Sequence, residues 1–336
     1  MPATLFIGAA ACGKTHHVMD LVRAAARDLN AQPVICVPTT VQRTRMQRRL
    51  ARHGGVLGVR VLTFDTLYTA ILASAPSPYV ELDDPVQYRL MRDVIETLAA
   101  QGELVHYAPI AAKPGFIAEA RRLVAELKGA RVDPAALQRL WSAENTPPRL
   151  QDLARIYAQW QARLIHGGWV DLAGIAWLAV EELEQGHVTT PAAWSPLVFD
   201  GFDSFTEVQL AFVRALAAQP GSNVIVTLTG DPDDTEAYPA RTVHRRFHAT
   251  RRNLEAALGV AGVSLPVIRP DTTWRVPLLH LRNTLLTTGG TSVPADDAVE
   301  FIEASSRALE VRAALRWLKL RIVRDGVSPA ACALVA

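Results

Sequence analysis

The eight residues Gly8-Ala9-Ala10-Ala11-Cys12-Gly13-Lys14-Thr15 constrain this chain more than any other stretch. They follow a short apolar run, Thr4-Leu5-Phe6-Ile7, and precede a segment of helical periodicity that begins at Val18. A strand, a glycine-bounded turn and a helix form the context in which G-x-x-x-x-G-K-[ST] is a phosphate loop. Gly8 and Gly13 let the backbone turn tightly, so that the N–H groups of the loop point into one concavity. The helix that follows adds its unpaired N–H groups and the positive end of its dipole. The loop from Gly8 through Ala9, Ala10, Ala11 and Cys12 to Thr15 is therefore the expected ATP-binding surface. Lys14 is expected to reach the β- and γ-phosphates and the Thr15 hydroxyl to ligate Mg²⁺.

Downstream, apolar runs alternate with helical periodicity. Pro33–Pro38 reads as a buried parallel strand, and Thr39-Thr40 as the cap of a helix over 41–52 that carries Arg43, Arg45, Arg48, Arg49 and Arg52. Spacings of three and four put several of these arginines on one face, either a solvated face or a contact with a nucleic-acid backbone. A third strand, Val59–Phe64, follows the break at Gly54-Gly55, and this β-α-β-α-β-α order predicts a doubly wound α/β sheet. From Pro85 to about Glu184 nearly every periodic segment is helical, which predicts a helical insertion. Its aromatic residues Trp141, Tyr157, Trp160, Trp169 and Trp177 fit a helical core, or a surface on which bases stack.

The sheet is expected to resume at Pro196–Asp200, an apolar strand ending in an acid. A carboxylate there suits Mg²⁺ coordination beside a phosphate loop. Lys14 and Asp200 are accordingly the candidate catalytic residues, and Thr15 and Asp200 the candidate Mg²⁺ ligands. A helix over Glu207–Ala217 and a strand over Asn223–Thr229 lead to an acidic loop, Gly230–Asp234. The densest basic stretch contains Arg241, Arg245, Arg246, Arg251 and Arg252, which suit phosphate contacts or an exposed helical face. Beyond a linker at 289–294, a strand (Val299–Ala304), a helix (Leu309–Val323) and a strand (Ala331–Val335) read as the start of a further α/β unit, cut short at the end of the chain.

A net charge of +2 gives no global field for nucleic acid, so any such surface must be a local patch. Three scattered cysteines, Cys12, Cys36 and Cys332, argue for a reducing compartment and against a disulfide framework or a metal cluster. With no leader or apolar run long enough to span a bilayer, the chain reads as cytoplasmic, without a membrane partner.

These motifs in this order resemble superfamily 1 helicases of the UvrD/Rep type, most closely the AddB-like members of bacterial ATP-dependent helicase–nucleases. The matching pieces are Phe6-Ile7-Gly8 through Thr15, Val37-Pro38 with its helix, Val61-Leu62-Thr63-Phe64, and Phe199-Asp200-Gly201-Phe202 with Phe205–Gln209. Trp169-Val170-Asp171-Leu172 is similar to the aspartate-containing segment that closes the inserted domain of those helicases. Glu303–Ser306 with Glu310-Val311-Arg312 is similar to the opening of their second RecA-like domain. The resemblance runs over the whole chain, and outside the Gly8–Thr15 loop its specificity lies in motif order.

It implies a P-loop NTPase fold: a RecA-like parallel sheet over 1–74 and 195–290, an all-helical insertion over 75–194, and the beginning of a second RecA-like domain over 296–336. It also implies ATP and Mg²⁺ as cofactors, and DNA as a partner, with Thr39, Arg43, Thr63 and Arg241 as candidate contacts. A hetero-oligomer with an active helicase–nuclease subunit, acting in double-strand-break repair and recombination, follows from the same resemblance. The departures are specific. Active helicases have Asp-Glu where this chain has Asp200-Gly201, and that glutamate orients the attacking water. Their Gly-Asp-x-x-Gln becomes Gly230-Asp231-Pro232-Asp233-Asp234, and the nuclease domain and iron–sulfur cysteines of AddB-like subunits have no counterpart here. ATP binding with weak or no hydrolysis is the expectation. The alternatives are a working DNA-dependent ATPase using Asp203 or Glu207 as base, and a small-molecule P-loop kinase.

Overall fold

A computed structural model describes residues 3–52, 54–76, 79–143, 145–230, 245–265, 275–285 and 291–334. The chain forms two compact units, Met1–Arg269 and Pro270–Ala336.

In the first unit the elements run β1 (Ala3–Gly8), α1 (Lys14–Ala25), β2 (Val34–Cys36), α2 (Thr40–Arg52), β3 (Arg60–Leu62) and α3 (Phe64–Leu72). Then come β4 (Val80–Glu81), α4 (Asp84–Ala100), α5 (Pro114–Gly129), α6 (Pro134–Trp141), α7 (Pro148–Gly167), β5 (Trp169–Val170) and α8 (Leu172–Glu184). The unit closes with β6 (Leu197–Phe199), α9 (Glu207–Ala217), β7 (Val224–Thr229), α10 (Arg245–Leu258) and β8 (Gly262–Ser264). Six strands pair in the order β3-β2-β6-β7-β1-β8, parallel at every junction, giving the mixed α/β architecture expected.

Side chains alternate strictly across this sheet. Leu5, Cys36, Phe199 and Val226 enter one core, whereas Ile35, Val198 and Ile225 enter another with Val18 and Val22 of α1 and Met46 and Leu50 of α2. The first core is completed by α3, α8, α9 and α10, including Leu67, Val180, Phe212 and Leu254. Helices on both faces explain why the strands read as continuous apolar runs rather than as alternating ones. Helices α4 to α7 enclose a third core, with Met91, Ile117, Tyr157 and Trp160 fully buried. The short parallel pair β4–β5 joins the two ends of this helical stretch, where the sequence pattern shows no strand.

The node that ties α5, α7 and α8 together is Asp171, the N-cap of α8. Its carboxylate accepts from the Lys128 ammonium at 2.7 and 2.8 Å, from Trp160 Nε1 at 2.9 Å and from the Gly174 backbone N–H at 2.7 Å. Burial pulls the Lys128 ammonium below its ordinary pKa, and the Asp171 charge partly restores it. A second buried carboxylate, Asp152, accepts the backbone N–H groups of Val105, His106 and Tyr107, fixing the loop between α4 and α5.

In the second unit α11 spans Val276–Thr284 and α12 spans Arg307–Val323, capped by Ser306. The strand expected over 299–304 is absent, and Phe301 is 88 % exposed. A short 3₁₀ turn, Pro329–Ala331, stands where the last strand was expected to begin, and residues 335–336 lie outside the described residues. Strands persist only where a neighbour satisfies their N–H and C=O groups, and among the described residues of this unit there is no paired strand. No helix among the described residues is long and apolar enough to cross a membrane.

Asp171→Asn leaves the Lys128 ammonium buried without its counter-charge, and is expected to cost about 3–5 kcal/mol in urea unfolding. Lys128→Met combined with Asp171→Leu is expected to cost less than the sum of the two single replacements, measured the same way.

Candidate functional site

The carboxyl ends of β1, β6 and β7 converge, as they do wherever parallel strands are wound with helices on both sides. Strand β1 delivers Gly8 to the start of the glycine-bounded loop. A Cβ at Gly8 would sit 2.6 Å from Cys12 Sγ, so only glycine lets the loop fold back with the Cys12 thiol tucked beneath it. Gly13 takes the left-handed conformation at φ 106° just before α1, and Ala11 takes it at φ 59°. Cys12 is buried and its N–H donates to the Ala9 carbonyl at 3.3 Å. It is the small residue that packs the loop.

Lys14 Nζ folds back over this loop, donating to the carbonyl oxygens of Gly8 and Ala9, each at 2.8 Å. Burial lowers its pKa from the ordinary lysine value, and the neighbouring Cys12 and Asp200 oppose that shift. The Gly8 carbonyl also accepts the Gly230 N–H at 3.1 Å, which ties the exit of β7 to the start of the loop.

Asp200 continues β6 by one residue, its N–H donating to the Cys36 carbonyl at 3.0 Å. Its side chain is buried, and both carboxylate oxygens are engaged by hydroxyls. Thr15 Oγ1 donates to Oδ2 at 2.9 Å and Thr227 Oγ1 to Oδ1 at 2.6 Å. Asp200, 185 residues along the chain from Thr15, is thus brought to the adjacent pair Lys14 and Thr15. Thr227 carries no signal of its own in the sequence. It sits inside the apolar run of β7, and only the interposition of β7 between β1 and β6 aims its hydroxyl at Asp200.

Gly201 follows in the left-handed region at φ 84°. A Cβ there would meet Gln42 Nε2 at 3.6 Å and Pro38 Cδ at 3.8 Å, so space is present while the backbone disfavours a side chain. Asp203 and Glu207 are both exposed, and Glu207 opens α9 just behind the Thr206–Gln209 capping box. Among the described residues no group of three or more His, Cys, Asp or Glu side chains is arranged to hold a metal ion. Residues 231–234 lie outside the described residues.

The candidate DNA contacts have local tasks. Thr39 caps α2: its Oγ1 accepts the Gln42 N–H at 3.2 Å and donates to Gln42 Oε1 at 3.0 Å. Thr63 is buried at the start of α3, where its N–H donates to Thr66 Oγ1 at 2.9 Å. Arg43 is half-buried on α2, and Arg241 lies outside the described residues. Of the basic stretch, Arg251 pairs with Glu255 at 3.0 Å on α10. Tyr157 and Trp160 belong to the helical core, whereas Trp169 and Trp177 are partly exposed.

Comparison with known families gives a match to the family described as "ADDB, N-terminal" over residues 5–272, which include the Gly8–Thr15 loop, Asp200 and Thr227. The chain belongs to the AddB N-terminal family. Curated relatives named as the B subunit of an ATP-dependent helicase/deoxyribonuclease include those of Moorella thermoacetica, 29 % identical with 97 % of this chain covered, and Symbiobacterium thermophilum, 26 % identical with 95 % covered. A third, from Desulforamulus reducens, is 24 % identical over 97 % of the chain. The chain spans 29 % of the length of each of these relatives. Within this AddB-family chain, the cross-strand network around Asp200 is the most buried polar arrangement at the sheet's carboxyl edge among the described residues.

Thr227→Val removes one of the two donors to Asp200 and is expected to destabilise the fold by about 1–3 kcal/mol, read from chemical denaturation. Thr227→Ser keeps the hydroxyl and is expected to recover most of that loss.

Proposed function

We propose that this chain is the ATP-binding, helicase-like region of a helicase–nuclease subunit that acts on DNA in break repair and recombination, with little or no ATP hydrolysis of its own. The observation that carries the reading is the Thr15–Asp200 hydrogen bond at 2.9 Å beside a lysine seated on the loop carbonyls, followed directly by Gly201. The fold is read as RecA-like, since a strand stands between the loop strand β1 and the acid-bearing strand β6. We read 1–74 and 195–290 as the ATP-binding domain, 75–194 as the helical insertion and 296–336 as the start of a second RecA-like domain.

The residues present fit ATP–Mg²⁺. Gly8 and Gly13 keep the loop free of side chains where phosphate oxygens approach, and Lys14 has exchangeable carbonyl partners that it can leave for phosphate. Thr15 and Asp200 form a hydroxyl–carboxylate pair of the kind that holds Mg²⁺ directly or through water. A Mg²⁺ held there would supply charge neutralisation for the phosphates. Thr227 orients Asp200, and Gly201 offers no carboxylate to activate water. The hydrolytic alternative rests on Asp203 or Glu207, both turned to solvent. DNA, a catalytically active partner subunit and a cytoplasmic location complete the proposal. The names of the relatives support the first two, and the sparse, scattered set of three cysteines supports the third.

The test is ATP binding and ATP turnover on one sample, with and without single-stranded DNA. Binding without turnover is expected. DNA-stimulated turnover that vanishes in Lys14→Ala would establish a motor and sink the weakened-site reading. Lys14→Ala is expected to weaken ATP by about 1.5–3 kcal/mol, roughly 10- to 150-fold. Phosphate favours the Lys14 ammonium, while burial in the free loop favours the amine. ATP affinity should therefore be full below the depressed Lys14 pKa and fall as pH rises through it. Lys14→Arg, which cannot deprotonate, should flatten that profile in calorimetry.

A further inference from the structure

Helix α2 carries five arginines and no acidic residue among its 13 residues. It connects the parallel strands β2 and β3, so it leaves the carboxyl edge of the sheet and runs back along it. Met46 and Leu50 seat it in the core that holds Ile35 and Val61. At about 100° per residue, Arg45, Arg48 and Arg52 fall within about 60° of one another, on the side turned away from Met46 and Leu50. All three are exposed. On α4, α5, α7 and α9, by contrast, exposed arginines find carboxylates: Arg92 pairs with Glu96, Arg122 with Glu119 and Glu126, Arg163 with Asp93 and Arg214 with Glu184. Among the described residues no carboxylate pairs with Arg45, Arg48 or Arg52.

Like charges three and four residues apart repel one another along a helix. The negative end of the helix dipole accounts for Arg52, which lies in the last turn, but not for Arg45 and Arg48. A polyanion laid along the row supplies the counter-charge that the fold does not. Guanidinium forks match phosphate oxygens in pairs. From Arg45 to Arg52 the row spans about 10 Å, the axial length of about three phosphates on one strand of a duplex. Helix α2 has no aromatic side chain, so the row offers nothing on which an unpaired base could stack, as single-strand surfaces do. Its chemistry suits a regular backbone.

We propose that the exposed face of α2 docks the phosphate backbone of duplex DNA, with Arg45, Arg48 and Arg52 each meeting a phosphate and no base being read. The proposal rests on the reading that this chain acts on DNA, and it does not depend on ATP. The row runs toward the amino ends of the strands, so it leads away from the Gly8–Thr15 loop at their carboxyl ends.

The test is fluorescence anisotropy of the whole chain with two probes, a short duplex closed by hairpins at both ends and an oligo(dT) strand, over roughly 50 to 200 mM salt. Arg45→Gln, Arg48→Gln and Arg52→Gln combined are expected to lower the slope of log K against log salt by about 2–3 for the duplex, and to weaken it at least tenfold at low salt. Oligo(dT) is expected to keep its slope. Lysine at the same three positions keeps the charge and is expected to restore most of the duplex slope, which a role confined to folding would not require. Arg89→Gln, Arg139→Gln and Arg149→Gln combined remove equal charge from exposed sites on α4, α6 and α7, and are expected to leave the slope unchanged. Should the triple glutamine variant fail to fold, the three single replacements carry the test, each lowering the slope by about one. A parent chain that binds neither probe overturns this proposal together with the DNA reading. One that binds oligo(dT) alone overturns this proposal and leaves that reading standing. Duplex slopes that are equal in the parent and the α2 variants also overturn it, as does an equal loss in the control variant or with oligo(dT).

Discussion

Asp200 joins three strands through one residue. Its backbone extends the β2–β6 ladder, and its two carboxylate oxygens take hydroxyls from α1 and from β7. A buried carboxylate is costly unless its lone pairs are met, and here two hydroxyl bonds, the one from Thr227 short, meet them. The consequence is geometric as much as energetic. The loop that precedes Thr15 cannot drift from the sheet without stripping a donor from Asp200, so the glycine-bounded loop and the acidic strand end are held as one rigid piece. Lys14, seated on the Gly8 and Ala9 carbonyls, closes the same piece from above.

A second charged node works differently. Asp171 and Lys128 are both nearly inaccessible, and the carboxylate also satisfies an indole and the first turn of α8. Nonpolar residues could fill the space at comparable stability. What the ionic node supplies is direction: three helices must meet at one point and one angle for every donor to be met. The helical core of α4–α7 and the core that α8 shares with the sheet meet at this node.

Much of this is legible in the chain. The strands β1, β2, β6 and β7 are largely apolar runs with a glycine, proline or acid on at least one side, and a sheet covered on both faces has no need of polar alternation. The convergence of Lys14, Thr15 and Asp200 follows from motif order. Other features have no local signature. Helix α8 shows the same periodicity as its predecessors, and periodicity announces a helix without saying which core it joins. Thr227 is a β-branched residue in a β-branched run, ordinary until the strand order is known. The residues 299–304 have strand-like composition, yet strand formation depends on a partner that composition does not report. Thr39 and Thr63 have side chains that suit a phosphate contact, and in the fold their hydroxyls also serve the first turns of α2 and α3.

Gly201 sets a backbone condition on any side chain placed after Asp200. Its backbone sits at φ 84°, where any L-residue other than glycine is strained by about 1–2 kcal/mol. A glutamate codon arising there would begin with that penalty, and its side chain would leave from a backbone not shaped to aim it. Space for a side chain is present beside Pro38 and Gln42, so the obstacle at this position is the backbone and not the packing.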